Sequence, residues 1–200
     1  MKIGGISLDG TLEVPEGAKS VVVFAHGSGS SRLSPRNGYV AGVLRNAGFG
    51  SLLFDLLTGE EDRLYQNRFD IDLLASRLSA ATDWLLERKK GASVGYFGAS
   101  TGAAAALQAA VKQPSVHAIV SRGGRPDLAW GYLEKVKVPT LLVVGGYDYE
   151  VLALNEQALG MLRGRKDLVV VPGATHLFEE PGTLEDVARV ATAWFKDFLR

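Results

Sequence analysis

The stretch Val94-Gly95-Tyr96-Phe97-Gly98-Ala99-Ser100-Thr101-Gly102-Ala103-Ala104-Ala105-Ala106-Leu107 joins a short apolar run to an alanine-rich run through the pattern Gly-x-Ser-x-Gly. Residues 94–97 read as a buried strand, and residues 101–112, stopped by Pro114, read as a helix. A serine on so sharp a strand-to-helix turn holds a strained backbone, and neighbouring segments approach so closely that flanking side chains would clash. Glycines at 98 and 102 remove those side chains. The turn raises the Ser100 hydroxyl above the strand end, over a helix N-terminus that favours developing negative charge. Serine is also a common helix cap, and the motif alone does not separate the two roles.

Outward from this turn, strand-like and helix-like segments alternate. Residues 21–25, 51–54, 116–120, 140–144 and 168–171 are apolar runs of strand length. Residues 35–47, closed by Gly48, and residues 150–162 read as helices. Ile71, Leu74, Leu78, Ala81 and Leu85 recur at helical spacing, as do Leu184, Val187, Ala188, Ala191, Trp194, Phe195 and Phe198 near the C-terminus. Asp9-Gly10 between residues 3–8 and 11–14 predicts a hairpin turn. Residues 58–70 are polar and read as a loop; residues 121–139 leave room for a small helix only. The alternation predicts one α/β domain over residues 1–200, with a mostly parallel central sheet, helices on both faces and no cap domain.

Composition narrows the chemistry. In 200 residues, 22 basic and 22 acidic side chains cancel, so nothing favours nucleic acid or an anionic membrane as partner. The absence of cysteine excludes disulfides, thiolate catalysis and cysteine zinc sites. The N-terminal residues lack the apolar core of a signal peptide, and no run is long and apolar enough to span a bilayer. The expectation is a cytoplasmic protein, a monomer or small homo-oligomer, acting on a small molecule.

A serine nucleophile needs a base, and histidine titrates in the useful range. The histidines are His26, His117 and His176. His117 falls inside a strand and reads as buried structure. His26 follows the first long apolar run and belongs to His26-Gly27-Ser28-Gly29. His176 lies in Pro172-Gly173-Ala174-Thr175-His176-Leu177-Phe178, after the last strand. Asp148 follows Val144-Gly145-Gly146-Tyr147, just past another buried strand, and carboxylate contact there would orient the imidazole. The order Ser100, Asp148, His176, each residue past a strand end, is that expected of an α/β-hydrolase triad. The backbone N–H groups of Ser28 and Thr101 are the expected oxyanion donors. No His-Glu-x-x-His run or carboxylate cluster accompanies the histidines, so no metal and no cofactor are expected. Gly27-Ser28-Gly29-Ser30-Ser31-Arg32 lacks the third glycine of a dinucleotide motif and the lysine of a phosphate-binding loop.

Arg32, Arg36, Arg122 and Arg125 lie in segments following strand ends. An arginine fork there suits a substrate carboxylate or phosphate, which makes Arg32, Arg36 and Arg122 candidate substrate-binding residues. The competing reading, preferred for Arg122, is a structural ion pair with Asp55, Asp127 or Glu179.

The stretches Phe24-Ala25-His26-Gly27-Ser28-Gly29-Ser30-Ser31-Arg32, Tyr96-Phe97-Gly98-Ala99-Ser100-Thr101-Gly102, Ser121-Arg122-Gly123-Gly124-Arg125-Pro126-Asp127-Leu128 and Gly173-Ala174-Thr175-His176-Leu177-Phe178-Glu179-Glu180-Pro181-Gly182 resemble dienelactone-hydrolase-like α/β-hydrolases. They look like a serine-nucleophile subfamily that also occurs fused to phosphoribosyltransferase domains. Dienelactone hydrolases proper use cysteine, and this chain has none. The resemblance implies hydrolysis of small or accessible carboxylic esters through an acyl-enzyme, with a small-molecule ester as substrate. Lactone, thioester or amide hydrolysis by the same residues, and a non-catalytic binding module on the same fold, are the alternatives.

Overall fold

The computed structural model describes residues 1–3 and 5–199. Strands β1 (Lys2–Ile3) and β2 (Ile6–Ser7) form a small antiparallel pair. The main sheet holds β3 (Gly10–Glu13), β4 (Ser20–Ala25), β5 (Gly50–Phe54), β6 (Ser93–Ala99), β7 (Val116–Arg122), β8 (Thr140–Gly145) and β9 (Lys166–Val171). Their order is β3-β5-β4-β6-β7-β8-β9; β3 runs antiparallel to β5 and every other pairing is parallel. The helices are α1 (Pro35–Asn46), α2 (Gly59–Asp62), α3 (Ile71–Arg88), α4 (Thr101–Ala110), α5 (Tyr149–Met161) and α6 (Thr183–Phe198).

Strand residues alternate between two cores, as the two-residue period of a strand requires. Val21, Val23 and Ala25 of β4 face a core completed by α3, α4 and α5. Val22 and Phe24 face the other, completed by α1 and α6. The chain therefore has helices on both faces, as its alternating pattern predicts. Phe195 of α6 is fully buried. Truncating a buried phenylalanine to alanine costs about 3–5 kcal/mol.

After β4 the chain moves outward to β5; after β6 it moves the opposite way, to β7, β8 and β9. The reversal opens a crevice beyond the carboxyl ends of β4 and β6, where α/β proteins bind ligands. The His26 loop leaves β4 on one side of it and Ser100 leaves β6 on the other.

Two local expectations change, and a third segment takes the small helix that its length allows. Asp9-Gly10 is not a hairpin turn: β1 pairs with β2, and β3 crosses to β5 with Gly10 opposite Phe54. A Cβ on Gly10 would lie 3.0 Å from the Phe54 Cβ, so the glycine serves close strand approach. Residues 58–70 are built rather than loop-like. Thr58 accepts from Glu61 N at 3.2 Å while the Glu61 carboxylate accepts from Thr58 N at 2.8 Å, a capping box on α2. A 3-10 turn follows at Tyr65–Phe69, and Asp70 caps α3 through Leu73 N at 3.0 Å. Finally, Pro126–Lys135 is a 3-10 segment kinked at Ala129, packed between α4 and α5 rather than raised as a lid. Among the described residues, no helix is long and apolar enough to cross a membrane.

Candidate active site

Ser100 sits between β6 and α4 at φ 51°, ψ −118°. Among the described residues, only Phe178 shares a positive φ without being glycine. Such a backbone costs about 1–3 kcal/mol and persists where its surroundings enforce it. Here a Cβ on Gly98 would lie 2.4 Å from the Ala103 Cα, and one on Gly102 would lie 2.2 Å from the Ala25 carbonyl oxygen. These are backbone atoms with nowhere to move. The turn is also braced from β7: Ser100 N donates to the Arg122 carbonyl at 3.2 Å, and Arg125 N donates to the Ser100 carbonyl at 3.2 Å. Ser100 occupies the cap position of α4, yet its side chain makes no cap hydrogen bond.

Asp148 resolves in the same way. It precedes α5 in the cap position, but its side chain makes no cap bond. Instead its Oδ2 lies 2.6 Å from Nδ1 of His176. A carboxylate there holds the proton on Nδ1 and leaves Nε2 as the free acceptor. The Asp148 side chain is 13% exposed and that of His176 37%, so the pair straddles the edge of solvent.

The loop carrying His176 is laid against β8. Tyr147 N donates to the Ala174 carbonyl at 2.9 Å and Gly146 N to the Val171 carbonyl at 2.9 Å. A Cβ on Gly145 would come within 2.4 Å of the Ala174 carbonyl oxygen, so this glycine is what lets the loop lie down. The Glu180 carboxylate then ties the loop to itself, accepting from Thr175 N at 3.1 Å and from Thr175 Oγ1 at 2.6 Å. Ser100, His176 and Ser28 line one cleft of about 230 Å³, together with Arg36, Asn37 and Arg122.

The His26 side chain is not a second base. Leu56 N donates to its Nε2 at 3.0 Å, which leaves the ring proton on Nδ1, 3.0 Å from the Gly27 carbonyl it donates to. Burial lowers the His26 pKa, against smaller raising effects of Gly27, Asp55 and Asp62. A neutral ring thus pins the loop after β4 to the end of β5. The pinned loop passes over the nucleophile: a Cβ on Gly27 would lie 3.1 Å from the Ser100 Cβ. Among the described residues, the Ser28 and Thr101 amides have no acceptor. Both residues also line a narrow crevice beside the cleft. Two unclaimed N–H groups beside Ser100 can donate to an oxyanion. His117 is exposed near the start of β7, not buried as its sequence setting suggests, because the register against β6 slips there: Val94 pairs with Val116 and Gly95 with Ala118, leaving His117 as the extra residue. Among the described residues no group of histidine and carboxylate side chains is placed to hold a metal ion.

The arginines separate. Arg32 lies 3.4 Å from Asp55 and 3.8 Å from Asp9, and is not among the residues lining the cleft. Arg125 forks onto Asp127 at 2.8 and 2.7 Å. Arg36 donates to Glu179 at 2.8 Å and does line the cleft. The three carboxylates available to Arg122 are thus each taken by another arginine. The ion-pair reading of Arg122 fails. Asn37 also lines the cleft and is not among the site residues expected from the sequence.

The family model for PET hydrolase-like proteins matches residues 46–200. The chain belongs to that family of α/β-hydrolases. The PET hydrolase-like chain is 57% identical to a dienelactone hydrolase from Anabaena variabilis, whose crystal structure matches at a TM-score of 0.95 over 99% of this chain and 95% of that one. That likeness agrees with the resemblance carried by the sequence motifs. The family member is also 60% identical, over 98% of its length, to a protein of Mycobacterium tuberculosis whose name proposes a phosphoribosyl transferase. It spans about half the length of the curated relatives it matches (45%). Est1E from Butyrivibrio proteoclasticus shares the fold at a TM-score of 0.83 with 16% identity, over 98% of this chain and 97% of that one.

Proposed function

We propose that this chain is a serine carboxylesterase. The observation that carries the reading is the 2.6 Å contact between Asp148 and His176 on the cleft that a strained, uncapped Ser100 also lines. In this reading Nε2 of His176 takes the Ser100 proton as Oγ attacks the ester carbonyl. The negative charge on the carbonyl oxygen is held by the Ser28 and Thr101 amides. His176 returns the proton to the departing alcohol, leaving an acyl group on Ser100. Water then attacks the acyl carbon and gives its proton to His176; the bond to Ser100 Oγ breaks, His176 returns that proton to Oγ, and the acid leaves. No step requires a metal or cofactor.

The shape supports small or accessible esters. The cleft is modest in volume, and the segment between β7 and β8 is packed down rather than lifted over it. The family supports hydrolysis as the class of reaction. The test is turnover of p-nitrophenyl acetate by the wild type and by Ser100→Ala. A fall in kcat of at least about 10⁴-fold is expected from losing a triad nucleophile. Equal rates would sink the reading.

A further inference from the structure

We propose that Arg122, with Arg36 and Asn37, forms a subsite for an oxyanionic group, so that the preferred ester carries a carboxylate or phosphate beside its scissile bond. The proposal rests on the reading of the cleft as a serine esterase site and adds the substrate class.

Arg122 is the least ordinary charge in the molecule. It is 6% exposed, yet among the described residues its side chain makes no hydrogen bond and no ion pair. Buried guanidinium groups are normally paired, because desolvating a charge without a counterion is costly. The carboxylates that would serve are taken: Asp55 by Arg32, Asp127 by Arg125 and Glu179 by Arg36. The one compensating contact is the ring of Phe178, whose centroid lies 5.8 Å from the Arg122 guanidinium carbon. Phe178 itself holds a positive φ of 56°, so the loop is strained at the residue that floors this charge. Burial, and then the nearby charge of Arg36, lower the Arg122 pKa to about 10, which leaves it cationic at neutral pH.

Arg36 adds a second guanidinium to the surroundings. It lines the same cleft; one of its terminal nitrogens reaches Glu179, while its Nε is buried without a partner. Asn37 is 3% exposed; its Oδ1 is buried without a partner, and its amide N–H₂ group, which makes no hydrogen bond among the described residues, is the donor it can offer an anion. Glu179 offsets Arg36, so the cleft keeps about one uncompensated positive charge, that of Arg122. A singly charged oxyanion would neutralise it, and a carboxylate or phosphate matches the guanidinium fork. The anion must be part of the ester itself, because the subsite adjoins the nucleophile: the Arg122 carbonyl accepts the Ser100 N–H at 3.2 Å. The subsite and the nucleophile share one cleft of about 230 Å³.

The test compares kcat/KM for mono-p-nitrophenyl succinate, p-nitrophenyl 3-phosphonopropionate and neutral p-nitrophenyl pentanoate. Wild type is expected to prefer one of the anionic esters about 10- to 100-fold, the range of a charge-assisted pair. Whichever anion is preferred identifies the group. In Arg122→Met the anionic-to-neutral ratio should fall to about one, and Arg122→Lys should recover part of it. A wild-type ratio near one, or an unchanged ratio in Arg122→Met, overturns the subsite; should Arg122→Met fail to fold, the wild-type ratio decides. Binding of monomethyl succinate to Ser100→Ala, read by calorimetry, gives a second measure that needs no turnover: binding supports the subsite and its absence at millimolar concentration counts against it. The two readings fail separately. Ester turnover that survives Ser100→Ala sinks the serine mechanism, whereas Ser100-dependent turnover without anionic preference sinks the subsite alone.

Discussion

Asp148→Asn isolates the orienting contact with little change of shape. Asparagine keeps the size of aspartate but replaces one carboxylate oxygen with a donor. If its amide N–H₂ group faces Nδ1 of His176, the ring must carry its proton on Nε2 and ceases to be a base. If its oxygen faces Nδ1, the tautomer survives but the imidazolium formed during attack loses its counterion. Two unit charges about 4 Å apart attract by about 4 kcal/mol at an effective dielectric of about 20, or about three decades of rate. The 37% exposure of His176 trims that figure by screening, and the wrong tautomer adds to it. The expected outcome is a fall in kcat for p-nitrophenyl acetate of about 10³- to 10⁴-fold. KM should stay within about threefold, since the carboxylate does not touch substrate. The melting temperature should stay close to that of wild type, because the Asp148 side chain makes no helix-cap bond to lose. A folded Asp148→Asn protein within tenfold of the wild-type kcat would refute the orienting role.

Other expectations concern the frame around the site. Gly98→Ala forces a Cβ to within 2.4 Å of backbone, so the elbow must open; a loss of about 1–3 kcal/mol, read as a lower urea midpoint, should accompany loss of activity. Unchanged stability would show that the turn is looser than its contacts imply. His26 tests linkage. Its folded pKa is lowered, so below the unfolded value of 6.5 the unfolded chain binds a proton that the native ring refuses. Its contribution to stability is therefore full above about pH 6.5 and falls as the pH drops below that, by at most about 1.4 kcal/mol per pH unit. Melting temperatures of wild type should decline more steeply from pH 7 to 5 than those of His26→Gln; parallel slopes would show that His26 does not resist protonation.

Much of this frame is legible in the sequence, and for one reason. Ser100, Asp148 and His176 each follow a run of apolar residues, and parallel strands place the ends of such runs on one side of a sheet. Chain order and strand polarity therefore bring the three residues together before any contact is known. The parts that are not legible depend on partners far along the chain. Asp9-Gly10 is a sound local turn signal, but pairing of β3 with β5 overrides it. Whether Arg122 is paired depends on which loops deliver Asp55, Asp127 and Glu179, and each delivers its carboxylate elsewhere. The cap on α2 is a different case. Thr58-x-x-Glu61 is a readable capping box, hidden by the polar composition around it. The roles of Ser100 and Asp148 as caps or chemistry are likewise undecided by residue type. They are separated only by where the side chains go: neither bonds to its helix, and Asp148 goes to His176.

The most direct test of the central claim is the acyl-enzyme itself. The protein is mixed with p-nitrophenyl butyrate, quenched in acid within milliseconds, and its mass measured whole and after digestion. The account predicts a butyryl adduct on the peptide containing Ser100, formed with a burst of p-nitrophenol and absent from Ser100→Ala. A burst with the adduct on any other residue, or turnover at full rate in Ser100→Ala, would contradict it.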